Sequence, residues 1–254
     1  SPSPAEVCSA STLQAYALIM EPDAGKQYAS SPVAVLDFRS LYPSIMIAYN
    51  LSFETCCGKM GAMPAEGDED RSTMRRRLGC DPRFPVPFST LQAHKNELYV
   101  DPLGTVFVSP KVRKGVLPTM LSEVLHTRFA VKRALKRVKK GIAGGGSRTL
   151  ALALDAMQLG LKLLANVTYG YTTANFTGRM PMGELADAIV QTARTTLERA
   201  MRRAESPHDF NGRVIYGNTD SMFVEFRGRS VASAFECGRQ LAEAVTRRNP
   251  RPVK

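Results

Sequence analysis

The chain is 254 residues long, 44% hydrophobic and 22% charged, with a formal net charge of +11. These proportions suit one large domain or two small ones and exclude wholesale disorder, a collagen-like repeat and a disulfide-stapled miniature fold. The five cysteines (Cys8, Cys56, Cys57, Cys80, Cys237) form no C-x-x-C pair and leave one over, which fits a reducing, intracellular compartment.

Residues 1–27 are weakly patterned and carry no structural prediction. Val33 to Phe38 is a short apolar run ending beyond an acid, read as a buried strand. Ser40 is placed to cap a helix starting at Leu41, with Pro43 tolerated in its first turn. Residues 58–86 mix Gly, Pro, Asp, Arg and Met without a period and read as an inserted loop. Glu97 to Val108 alternates around Asp101-Pro102-Leu103-Gly104, a hairpin signal. A helix is predicted over 119–140, with apolar Leu121, Val124, Leu125, Phe129 and Leu135 on one side and basic residues on the other. Residues 141–147 include three consecutive glycines and break it.

A second helix, about 151–169, pairs with the first as an antiparallel hairpin. No run of about 18 uncharged apolar residues occurs. The most apolar window, 150–167, carries Asp155 and Lys162 and reads as a buried helix. An amphipathic helix covers 184–203. Strands 213–216 and 221–226 flank Gly217-Asn218-Thr219-Asp220, and a last helix runs over 231–247. There is no internal repeat, signal peptide or initiator methionine, and the end at Arg251-Pro252-Val253-Lys254 suggests a piece of something longer.

Charge is concentrated in one place. Residues 111–140 hold ten Lys/Arg against the single acid Glu123, contributing +9 of the +11. Such a segment attracts a nucleic-acid backbone, a nucleotide triphosphate or an acidic membrane surface, or is simply a solvated face.

Three places could carry chemistry. Asp37 closes a strand just before a helix N-terminus, whose free N–H groups can bind phosphate oxygens while the carboxylate holds a divalent cation; an ordinary helix-capping Asp has the same look. Asp220 sits at a tight turn, where it could meet a second carboxylate and share two hard cations about 4 Å apart; Asn, Asp and Gly also populate turns for conformational reasons alone. Arg128, Lys132 and Lys136 form an i, i+4, i+8 stripe, and Lys162, Asn166 and Tyr169 share a face of the next helix. Facing stripes of this kind would grip a triphosphate.

The order Asp-x-x-Ser-Leu-Tyr-Pro-Ser (Asp37 to Ser44), Lys-x-x-x-Asn-x-x-Tyr-Gly (Lys162 to Gly170) and Tyr-Gly-x-Thr-Asp-Ser (Tyr216 to Ser221) resembles the three polymerase motifs of family B DNA polymerases. Val112 to Pro118 also looks like that family. Ala165 to Thr172, with Ala174 to Phe176 and Gly178 to Pro181, is most similar to its translesion (zeta) branch, the replicative members typically carrying Ser at the place of Val167. The resemblance runs from about residue 18 to the end, apart from the 58–86 loop.

The resemblance implies an α+β fold: an antiparallel-sheet palm backed by helices, in two parts (28–110 and 173–254), and a helical-hairpin fingers subdomain (111–172). The family's thumb and exonuclease-like domain have no counterpart here. It implies that Asp37 and Asp220 are the metal-binding, catalytic carboxylates, with the Phe38 carbonyl completing a shell for two Mg²⁺, Mn²⁺ being a possible substitute. Ser40, Leu41 and Tyr42 would meet the triphosphate, and Tyr42 would block a 2′-hydroxyl. Arg128, Lys132 and Lys162 would neutralise phosphates and Asn166 would hydrogen-bond them. Tyr169, Gly170 and Tyr216 would contact template or primer.

The implied activity is template-directed addition of deoxynucleotides to a primer 3′ end in translesion synthesis and DNA repair. Its partners would be primer-template DNA, deoxynucleoside triphosphates and accessory polymerase subunits bound elsewhere, with a nuclear location and no membrane. One position departs: the family has Asp where this chain has Asn218, a poorer ligand for a hard cation. The competing readings are a nucleic-acid-binding fragment impaired by Asn218 and the missing thumb, and a basic membrane-surface protein. The latter leaves the acids at strand ends unexplained.

Overall fold

Alternation along Val33–Asp37, strand β1, decides what the first sheet can do. Side chains of a strand point to opposite faces in turn, so Val33, Val35 and Asp37 share one face and Ala34 and Leu36 the other. Val35 is 61% exposed, whereas Ala34 and Leu36 pack against the core. In this computed structural model, which describes residues 15–22, 28, 31–60, 88–141, 147–173 and 182–254, β1 thus carries Asp37 on an uncovered face.

The sheet is completed by β5 (Arg213–Asn218) and β6 (Ser221–Glu225), antiparallel in the order β1-β6-β5. Asp37 pairs with Ser221, and an extra residue bulges β5 between Val214 and Tyr216. The buried face of Val214, Met222 and Val224 is covered by two helices, α5 (Gly183–Glu205) and α6 (Val231–Arg248). The stripe of α5 formed by Leu185, Ile189, Ala193, Leu197, Ala200 and Ala204 is nearly inaccessible. The N-terminal segment, without a prediction from sequence, lies along β5. The Met20 N–H donates to the Gly217 carbonyl (2.8 Å), and the Thr219 N–H donates to the Leu18 carbonyl (2.8 Å).

A second sheet, β2-β4-β3, uses Cys56–Lys59, Thr105–Val108 and Leu98–Val100. The expected hairpin is its β3-β4 pair. The expected loop begins later than predicted, because Gly58 and Lys59 pair with Val106 and Thr105. Partnership with a strand nearly fifty residues away leaves no local periodicity to read. The rest of that loop, the glycine triplet and the 174–181 stretch lie outside the described residues, and a short helix α2, Phe88–Ala93, precedes β3.

The helical hairpin is longer than predicted at both ends: α3 spans Val116–Lys139 and α4 spans Arg148–Thr173. The start of α3 depends on groups far away in sequence. The Leu117 N–H donates to Ser52 Oγ (3.4 Å) and the Val116 N–H to the Glu54 carboxylate, so the orphan donors of the first turn are met from across the chain. Gly115 is needed there, since a Cβ would lie 2.9 Å from Pro118 Cδ and 3.0 Å from Asn50 Oδ1.

The reading of 150–167 as a buried helix is corrected. Only Ala165 and Thr172 of α4 are buried, because its covered stripe faces α3 while Leu152, Leu159, Leu163 and Val167 face outward. Among the described residues, α4 is long and apolar enough by length and composition to cross a membrane.

Asn50 ties the hairpin to the rest. It follows α1 (Leu41–Ala48) with its side chain buried, donating to the carbonyls of Val108 (2.9 Å) and Arg113 (2.8 Å) and accepting from the Gly115 N–H (2.9 Å). Losing a partner leaves buried groups unmet, so Asn50→Ala is expected to cost about 2–4 kcal/mol in urea unfolding. A loss under about 0.5 kcal/mol would show that the α3 junction is held by something else.

Candidate active site

Asp37 and Asp220 are brought together by hydrogen-bond register. The Phe38 N–H donates to the Asp220 carbonyl (2.8 Å), one step beyond the Asp37–Ser221 pair. Asp220 is the second residue of a two-residue turn whose first, Thr219, has φ 52°. The Asp220 carboxyl is raised above the usual carboxylate range, by burial first and by the charge of Asp37 second, while Lys162 pulls it back. Two carboxylates that repel, with a backbone carbonyl beside them, form an all-oxygen donor set of the kind a hard divalent cation relieves. Among the described residues no cluster of three or more His, Cys, Asp or Glu could hold a metal ion, so any site here rests on this pair.

Both aspartates line a cleft of about 830 Å³ with Phe38, Ser40, Arg128, Lys132, Lys162 and Asn166. Its walls hold seven Lys/Arg residues against the two acids. Sequence reasoning missed several of these. Arg39, His126 and Arg133 also line the cleft, as does Lys254. Lys254 arrives from the far end of the chain: its carbonyl accepts the Arg39 N–H (3.0 Å), and its ammonium lies 5.8 Å from the Phe129 ring centroid. No local pattern signals that approach.

Ser40 does not cap α1 as expected. Its backbone is left-handed (φ 50°, ψ 56°) and its hydroxyl makes no capping bond. Instead the hydroxyl accepts from Arg128 Nη1 (3.2 Å), linking α1 to α3. The first-turn amides of Leu41 and Tyr42 therefore lack an intrahelical acceptor, and Pro43 has no N–H. Arg128 also keeps a buried Nε without an acceptor among the described residues. Unmet donors around a cationic cleft suit an oxyanion.

Tyr42 and Tyr169 are not among the cleft's lining residues; their rings meet each other, centroids 4.6 Å apart. Gly170, next on α4, has open space where a Cβ would be. Tyr216 stands apart, edge-on to Phe223 at 5.4 Å on the sheet's open face. Asn218 is not among the cleft's lining residues. Its Oδ1 accepts the Thr219 hydroxyl (2.9 Å), so its amide is engaged within the turn.

A sequence profile of DNA polymerase family B matches residues 5–254. The chain belongs to DNA polymerase family B. Within that family it is 48% identical over 241 residues, 95% of its length, to the DNA polymerase zeta catalytic subunit of Homo sapiens. It is 40% identical, over its whole length, to that of Saccharomyces cerevisiae. The delta catalytic subunit of Plasmodium falciparum matches at 32% over 94% of the chain. The chain spans 7% of the human zeta relative, 16% of the yeast one and 19% of the delta one. The solved family B DNA polymerase from the archaeon Pyrobaculum calidifontis superposes with a TM-score of 0.57 at 29% identity, over 91% of this chain and 24% of that one. The mixed helix and antiparallel-sheet fold is thus that of a family B polymerase.

Burial, then Tyr42, then Asp187 push the Tyr169 phenol up to about 12. An unfolded tyrosine titrates near 10, so the folded chain keeps a proton that the unfolded chain releases. The stabilisation is complete below pH about 10 and is lost as pH rises toward 12. Tyrosinate absorbance should show a late step that Tyr169→Phe removes, distinct from that of half-buried Tyr99, which is also raised. An unchanged late amplitude in Tyr169→Phe would contradict this environment.

Proposed function

We propose that the chain is the palm and fingers of a zeta-like DNA polymerase, adding deoxynucleotides to a primer 3′ end under template direction, in nuclear translesion synthesis and repair. One observation carries the reading: Asp37 and Asp220 share a single cleft with Arg128, Lys132, Lys162 and Asn166, drawn from both helices of the hairpin. The similarity to zeta catalytic subunits supports the branch.

Asp37, Asp220 and the Phe38 carbonyl would hold Mg²⁺, for which Mn²⁺ can substitute; when bound, the ions supply charge neutralisation and Lewis acidity for in-line phosphoryl transfer. The rest is positioning and electrostatics. The amides of Ser40, Leu41 and Tyr42 and the guanidinium of Arg128 hold triphosphate oxygens. Lys132 and Lys162 neutralise charge that shifts onto the leaving phosphates, and Asn166 hydrogen-bonds them. Tyr42, propped by Tyr169, closes the space beside the sugar C2′. Tyr169 and Gly170 lie under the templating pair, with Tyr216 toward the primer.

Primer extension by the full-length protein tests this. Asp37→Ala and Asp220→Ala should each lower turnover by about 10³-fold or more while leaving DNA affinity within about twofold, because DNA is gripped through Lys/Arg contacts to phosphate. Turnover kept in both variants would exclude this pair as the catalytic centre. The same assay with single ribonucleotides tests Tyr42. Tyr42→Ala should relax discrimination against them by about tenfold or more, and unchanged discrimination would remove its ring from the sugar site.

A further inference from the structure

A second cationic cleft lies where the C-terminal turns of α5 and α6 come together. It holds about 560 Å³ and is lined by Arg199, Arg202 and Arg203 from the last two turns of α5 and by Arg248, the last residue of α6. The three α5 arginines fall at i, i+3 and i+4 and so share a face. This cleft shares no lining residue with the cleft of the aspartate pair.

Cations in a helix's last turn are favoured by the helix dipole, whatever they face. That rule does not account for Arg203. Its side chain is only 19% exposed, its ion pair with Asp209 Oδ2 is long at 3.6 Å from Nη2, and its buried Nε has no acceptor among the described residues. Arg199, Arg202 and Arg248 form no ion pair among the described residues. An unmet donor on a buried guanidinium is costly, and an oxyanion entering the cleft would meet it.

The floor narrows the class of ligand. Ala200 and Val245 are apolar, and Thr196 donates its hydroxyl to the Thr192 carbonyl (2.8 Å). Among the described residues no aromatic side chain lines the cleft, so bases have nothing there to stack on, as single-stranded nucleic acid usually requires. Planar guanidinium forks match carboxylates two oxygens at a time. We propose that this cleft binds an acidic peptide segment of a partner protein, its carboxylates on the arginines and a small aliphatic side chain on the Ala200–Val245 floor.

Fluorescence anisotropy on the full-length protein tests it, using a fluorescein-labelled peptide of Glu and Asp interrupted by Val. Saturable binding is expected, weakened about tenfold by Arg203→Gln or Arg248→Gln, with primer extension unchanged. Asp209→Asn removes the one carboxylate that lines the cleft among the described residues and should tighten binding severalfold, a gain that misfolding cannot mimic. Absence of saturable binding, or equal affinity in all three variants, would overturn the proposal. So would displacement of the peptide by oligodeoxythymidylate at lower concentration than by unlabelled peptide, which would make the cleft a nucleic-acid site.

Discussion

The antiparallel register between β1 and β6 places two carboxylates side by side, and the function proposed for the molecule depends on it. Asp37 lies across from Ser221, and the next rung, from the Phe38 N–H to the Asp220 carbonyl, locks the turn against the strand end. Repulsion between the two acids opposes this arrangement, as the raised Asp220 carboxyl records. The opposing force is hydrophobic. α5 and α6 bury the other face of the same sheet, and a slip of one residue would expose Met222 and Val224 in place of the aspartate. The core thus holds charges together that would otherwise part, a repulsion that a bound cation would relieve.

Opposite that site the charge reverses. The helical hairpin carries arginine and lysine over the aspartates, and its position depends on polar groups buried at its base. Asn50, Ser52 and Glu54 satisfy the Val108 and Arg113 carbonyls and the first N–H groups of α3. Few apolar contacts would fix a long hairpin at one angle, whereas hydrogen bonds of defined direction do. Arg128 adds a link to Ser40, so a ligand that competes for that guanidinium also touches the contact between α3 and the start of α1.

Much of this was legible in the sequence, for reasons that differ by element. β1 announces itself as a short apolar run, though its Val35 face is open rather than buried, β5 and β6 by the turn signal between them, and α5 by its amphipathic pattern. Asp37 and Asp220 were legible as strand-end and turn acids, and the order of the three motifs joined them. The rest depends on contacts distant in sequence. β2 exists because β4 pairs with it, α3 starts three residues early because Ser52 and Glu54 meet its amides, and Lys254 enters the cleft through a bond to Arg39. Ser40 has the residue type of a cap but spends its hydroxyl on Arg128. The outward apolar face of α4 misleads a reading from composition, since hydropathy reports what a helix could bury and not what it does.

The central claim is that Asp37 and Asp220 together form a divalent-cation site. Electron paramagnetic resonance titration of the full-length protein with Mn²⁺, in the presence of a deoxynucleoside triphosphate that cannot react, tests it without turnover. Wild-type protein should bind Mn²⁺ with the broadened signal of two neighbouring ions, and Asp37→Asn and Asp220→Asn should each abolish that coupling. A coupled signal undiminished in both variants would place the cations elsewhere and contradict the account.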